Sequence, residues 1–257
     1  MTASESTAPE SPSESESAPA SDASPVEVSG RFLRAVRASA AGDAECESAR
    51  DALAALDSDA LASLDADARL AAWLNVYNAA TGDALLADPD RFDDRGRFFS
   101  QPVVTVAGEA LSLDAIEHGI LRGSQWKYGL GYVPNPFAST FVRRHRVAEP
   151  DFRIHFALNC GAASCPAVAA YDAETVDVDL DTATENYLRS ETVVENGTAY
   201  VPRLLLWYRG DFGGRGGIRR LLREYGVIDP DGISRIRYRE YDWSLALDAF
   251  RDTGGDR

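Results

Sequence analysis

At 257 residues and 27.8 kDa the chain is long enough for one large domain or two small ones. Its hydrophobic and charged fractions, 45% and 26%, are those of an ordinary globular protein, and no run approaches the roughly 18 apolar residues that a membrane-spanning helix needs. Acidic residues outnumber basic ones by 41 to 26, a formal charge of −15, which excludes an extended nucleic-acid-binding face because phosphate contacts need clustered Lys and Arg.

Residues 1–26, built from Ser, Glu, Ala and Pro without one aromatic side chain, cannot bury enough apolar surface to offset their ordering entropy, and a disordered acidic tail is expected there. Residues 27–257 read as one domain. Helices are expected first, over roughly 30–41, 46–57 and 66–87. In the last of them Leu70, Trp73, Leu74, Tyr77 and Ala80 follow the i, i+3, i+4 spacing of an apolar stripe. PVVTV at 102–106 reads as a strand, and SLDAIEHGILRG as a helix capped by Ser112 and ended by Gly123. Residues 124–150 read as loop with helical pieces. FRIHFAL at 152–158 alternates strictly and is expected to be the strongest strand. A helix near 180–190 precedes VVENGTAYV, whose Asn196-Gly197 predicts a tight hairpin. A short helix over LLLW, an amphipathic one over IRRLLREYG and a strand or extended segment over IRYREYDW follow. The fold class is α+β, a helical N-terminal half followed by a small, mostly antiparallel sheet with helices.

Before Arg31 there is neither a positive charge nor an apolar segment, so no secretory leader is expected and the cytoplasm is the expected location. An odd count of three cysteines then speaks against a disulfide framework. Lys127 is the sole lysine. With the net charge, this is the pattern of a halophilic chain, because concentrated salt relieves self-repulsion; a GC-rich coding bias produces the same excess of arginine.

Cys160 falls where the expected strand ends, followed by glycine and small residues, and Cys165 precedes Pro166, a residue favoured at the first position of a helix. Either sulfur is therefore expected near a helix N-terminus, where a thiol pKa falls. A thiolate needs a base, and the histidines are His118, His145 and His155. Along an extended strand His155 would lie roughly 16 Å from Cys160, which leaves His118, with Glu117 beside it and Arg122 one turn later.

The leading reading is a thiol-dependent hydrolase or acyl transferase acting on a small-molecule or peptide substrate. Cys160 is the nucleophile and His118 the base; Glu117, Asp211 or Asp242 orients the imidazole, and amides after Cys160 hold an oxyanion. Three alternatives stand beside it. The Cys, His and Asn residues satisfy one another in a non-catalytic binding or scaffold module, or Cys160 and Cys165 bind zinc with His118 and His155, or the two cysteines form a redox pair. Asn75 and Asn78, on one side of the 66–87 helix, are an internal hydrogen-bond network or ligand contacts. No cofactor, nucleic-acid partner or membrane partner is expected.

Taken in order, WLNVYNA at 73–79, LSLDAIEHGILR at 111–122, RIHFALNCGAASCP at 153–166, LLWYRGDFG at 205–213 and YDW at 241–243 resemble the uncharacterised domain-of-unknown-function family 547, over about residues 30–250. The resemblance implies site positions at Asn75, Asn78, Glu117, His118, Arg122, His155, Asn159, Cys160, Cys165, Asp211 and Asp242. It implies no activity.

Overall fold

The computed structural model describes residues 23–38, 43–229 and 235–251. The expected tail therefore lies outside the described residues up to position 22, and its last residues already belong to a helix. Helix α1 (Pro25–Ala38) starts earlier than expected because Ser24, Pro25 and Glu27 form a capping box. Ser24 Oγ accepts from the Glu27 N–H (3.3 Å), Glu27 Oε2 accepts from the Ser24 N–H (2.8 Å), and proline occupies the first helical position. Helices α2 (Ala44–Ala54), α3 (Ser58–Ala62) and α4 (Ala66–Ala87) each start on an aspartate, Asp43, Asp57 and Asp65, whose side chain accepts a first-turn N–H.

From Ala71 to Thr81 every residue of α4 is buried, so the expected stripe is the whole circumference and α4 is the axis of the core. Helix α1 packs along it and α2 packs on α1. After α5 (Arg95–Ser100), β1 (Pro102–Val106) and β2 (Glu109–Ser112) form an antiparallel hairpin. A π-helix over Ala115–Leu121 follows, opened by Ser112 Oγ accepting from the Ala115 N–H at 3.1 Å. The Arg122 N–H reaches back five residues to the Glu117 carbonyl, and this widened turn is a form that recurs at functional sites.

Helices α6 (Thr140–His145) and α7 (Val176–Glu191) lead to β3 (Val193–Glu195) and β4 (Thr198–Val201). These strands pair antiparallel about Asn196 and Gly197, both at positive φ as a type I′ turn requires. After α8 (Leu204–Trp207) and α9 (Gly214–Glu224), β5 (Arg235–Tyr238) adds parallel to β4. Two of the three strand pairings are antiparallel, and the α+β class holds. Among the described residues no helix is long and apolar enough to cross a membrane.

Two expectations fail. Phe152–Phe156 is a 3₁₀ turn, not a strand, with Asp151 Oδ1 capping the Arg153 N–H at 2.8 Å. Alternation would bury every second residue, yet Ile154, His155 and Phe156 are buried in succession. Ile154 packs in the core around α4, and Phe156 in a second core with Leu188, Val201, Leu205 and Leu222. His155 hydrogen-bonds between them. Nor does Pro166 begin a helix: the chain turns irregularly until α7 starts at Val176, so neither sulfur sits at a helix N-terminus.

Candidate functional site

The site is built outward from α4. Asn78 donates to the Ala157 carbonyl (3.0 Å) and accepts from the Asn159 N–H (2.9 Å), and Asn75 treats Tyr171 the same way at 2.8 and 2.9 Å. Asn159 in turn donates to the Pro166 carbonyl (2.7 Å) and accepts from the Gly161 N–H (2.8 Å). These buried amides take the place of a sheet neighbour for segment 157–171 and bend it so that Cys160 and Cys165 meet. Gly161 has φ +94°, and a Cβ there would lie 2.4 Å from Leu85 Cδ1. Replacing Asn78 with Ala orphans one N–H and one carbonyl in the core. Urea titration should show a loss of roughly 2–5 kcal/mol in unfolding free energy, and a loss below about 1 kcal/mol would show that water replaces the amide.

The two sulfurs lie 2.8 Å apart. Cys165 Sγ also accepts the Cys160 N–H at 3.0 Å and faces the Tyr241 hydroxyl at 3.1 Å, which is 3.6 Å from Cys160 Sγ. Donating its proton toward Cys165, together with burial, pushes the Cys160 thiol well above its ordinary pKa. Burial opposes ionisation of Cys165 as well, but the Cys160 thiol, the Tyr241 hydroxyl and the Cys160 amide outweigh it and hold Cys165 below the ordinary thiol range. The donors thus gather on Cys165 rather than on Cys160, the sulfur expected to be the nucleophile.

His118 hydrogen-bonds neither sulfur. Its Nδ1 accepts from Arg122 Nη1 at 3.0 Å, which leaves the ring proton on Nε2, 3.6 Å from Asp114 Oδ1. Burial lowers the His118 pKa to about 4, and the polar partners of the two sulfurs are each other and Tyr241. Asp211 orients no partner of Cys160 either. It takes Arg122 through Nε (2.7 Å) and Nη2 (3.1 Å) and His155 Nε2 at 2.8 Å. Burial would raise the Asp211 pKa, but His155 and Arg122 hold it at about 2. Glu117 accepts from Tyr208 (2.6 Å) and Tyr77 (3.2 Å), with His118 Nδ1 at 3.6 Å. Burial resists its charge, while the Tyr208 hydroxyl and the Arg122 guanidinium favour it and keep the carboxyl below the usual range.

Asp242 is exposed and orients no imidazole. It accepts from Ser244 through both N–H (2.9 Å) and O–H (2.6 Å), and its own N–H donates to Ser164 Oγ at 2.8 Å, tying the C-terminal segment to the cysteine loop. His145 bonds Ser58 Oγ at 3.2 Å and packs on Phe141, away from the cavity.

Glu117, His118, His155, Cys160 and Cys165 line one cavity of about 420 Å³, a size that suits a small ligand. The 3₁₀ turn brings His155 to this cavity, which the extended strand would not have done. Much of the wall is aromatic, from Tyr77, Trp207, Tyr208, Tyr241 and Trp243. Reading LLWYRGDFG and YDW for their aspartates missed Trp207, Tyr208, Tyr241 and Trp243; the signal was the density of rings in those two motifs. Among the described residues no three His, Cys, Asp or Glu side chains are grouped to hold a metal ion, so the zinc alternative lacks a third ligand.

Residues 61–188 match the family model described as "Protein of unknown function, DUF547". The chain belongs to the DUF547 family. The matched DUF547 segment is shorter than the span of about 30–250 expected from the motifs. It carries the asparagines, Glu117, His118, Arg122, His155 and both cysteines, while Tyr208, Asp211 and Tyr241 of the same site lie beyond it. No curated protein and no solved structure matches the chain.

Proposed function

We propose that this DUF547 protein is a thiol–disulfide oxidoreductase whose nucleophile is the Cys165 thiolate and whose second thiol is Cys160. The observation that carries the reading is the pair of sulfurs 2.8 Å apart in a ligand-sized cavity, with the donors gathered on one of them. Cys165 attacks one sulfur of a substrate disulfide, forming a mixed disulfide and expelling the other sulfur as a thiolate. Cys160 then attacks Cys165 Sγ, its proton passing to the departing thiolate. The substrate leaves as two thiols and the pair as a Cys160–Cys165 disulfide, which an external thiol reductant returns to the dithiol. Exchange needs only the second thiol, which lies 2.8 Å away, whereas among the described residues no histidine hydrogen-bonds a sulfur to serve hydrolysis or acyl transfer.

Alkylation by iodoacetamide across pH, read residue by residue by mass, tests this. Cys165 should react below the pH of roughly 8.5 at which a free thiol ionises, ahead of Cys160. Cys46, pushed up to about 11 by burial and by the Asp83 carboxylate, should lag. Because the hydroxyl stabilises the thiolate, Tyr241→Phe should move the Cys165 profile to higher pH. A Cys165 that reacts no faster than Cys46 until the protein is denatured would instead support the non-catalytic binding module.

A further inference from the structure

Buried charges in folded proteins are paired, and most in this cavity are. Lys127 Nζ sits 2.8 Å from both Asp114 oxygens, and Arg122 is committed to Asp211 in bidentate fashion. Glu117 is the exception. Its side chain is 12% exposed, and among the described residues the one cationic-type group within 4 Å is His118, at 3.6 Å. That ring is neutral at pH 7. Two tyrosine hydroxyls hydrogen-bond the carboxylate but bring no charge, and each of its oxygens keeps a free lone pair. Glu117 therefore has no ion-pair partner of its own: Arg122, which steadies the carboxylate from beyond 4 Å, is bound to Asp211.

The wall around it is of the kind that attracts cations. Arg122 lies over the Tyr208 ring at 4.8 Å, Lys127 over Phe99 at 5.5 Å and Arg95 over Trp243 at 4.9 Å, so the protein already seats its own cations on three rings that line the space. A ring face favours a positive charge electrostatically, and more strongly once the charge has lost its water. Aromatic faces around a lone carboxylate are poor surroundings for an anion and indifferent ones for a neutral chain.

From this arrangement we infer that the cavity takes a small organic cation, an ammonium or guanidinium group borne by the substrate and seated between Glu117 and the ring faces. The inference rests on the cavity being the active one and names the class of disulfide it would accept: one with a cationic group a few bonds from sulfur. The cation supplies the ion-pair partner that Glu117 lacks, and in doing so it brings the reacting sulfur into the chamber that Cys160 and Cys165 line.

The test has two arms on the full chain, both in about 1 M potassium chloride, where the Debye length of roughly 3 Å removes the general pull of an acidic protein on cations. In the first, calorimetry compares choline with 3,3-dimethylbutan-1-ol, its neutral carbon isostere. The cation should bind about tenfold more tightly or better, the factor that ~1.4 kcal/mol represents, and Glu117→Gln should erase the difference. In the second, the reduced protein reacts with cystamine and with bis(2-hydroxyethyl) disulfide, each rate divided by that of free glutathione; cystamine should be favoured by a similar factor. Cation preference in the first arm without exchange in the second would uphold this inference and sink the oxidoreductase. Exchange at equal normalised rates, with equal binding of choline and its isostere, would overturn the cation and leave the oxidoreductase standing. The comparison on the unmutated protein decides the matter even if Glu117→Gln fails to fold.

Discussion

Cys165→Ser should abolish disulfide exchange, by on the order of 10³-fold or more, whereas Cys160→Ser should stop it half-way. A serine hydroxyl at position 165 remains protonated at any working pH, so the attacking anion is lost outright. At position 160 the nucleophile survives, with the Tyr241 hydroxyl and the backbone amide still beside it, but nothing remains to resolve the mixed disulfide. Intact mass after exposure to cystamine should show one adduct per chain on Cys160→Ser, stable until a thiol is added, and none at position 165 of Cys165→Ser. The unmutated protein should lose two mass units and carry no adduct. Equal adduct formation by the two serine variants would exclude the assigned division of labour.

Arg122→Met should be the most damaging single change outside the thiols. Arg122 is 1% exposed, holds Asp211 by two hydrogen bonds and fixes the His118 tautomer through a third. Methionine matches much of its volume but leaves the Asp211 carboxylate buried against a neutral His155. Breaking one side of such a pair costs about 3–5 kcal/mol, or roughly 6–20 °C of melting temperature for a protein of this size. The sign of the pH dependence follows from Asp211. Its folded pKa of about 2 lies below its ordinary value, so in the native protein it contributes stability above pH ~4 that is lost as pH falls toward 2. In Arg122→Met the carboxyl has lost its cation and its pKa rises. The gap between the two proteins should therefore narrow on acidification, and Arg122→Met combined with Asp211→Leu should recover part of the loss at neutral pH. A gap that widens in acid would show that Arg122 acts through packing alone.

Where local chemistry decides, the sequence was legible. The boundaries of α4 at 66 and 87 follow from the Asp65 cap and unbroken apolar periodicity, and the β3–β4 hairpin follows from Asn196-Gly197. The failure at 152–156 has an equally physical cause. Alternating apolar residues describe a half-exposed strand, but the same letters serve a turn buried from two directions, and only the neighbours distinguish the cases. The site was legible as an inventory of residues and not as a set of contacts. His118 was paired with Cys160 because an extended strand would hold His155 too far away, whereas its hydrogen-bond partner is Arg122, four positions along on the same widened turn. That Cys165 and not Cys160 gathers the donors depends on Tyr241, from a segment no local rule connects to the cysteine loop.

The separation of Cys165 and Tyr241, 76 positions apart, also orders events during synthesis. At roughly 5–20 residues per second a ribosome needs about 4–15 s to travel from one to the other. For that interval the nascent chain carries both thiols without the hydroxyl that separates their acidities or the Trp243 indole that walls the chamber. A pair that must leave the ribosome reduced then depends on its surroundings rather than on its own fold. Oxidant encountered during those seconds reacts with two ordinary cysteines, and the protein acquires its chemical selectivity only once the segment that follows β5 is in place.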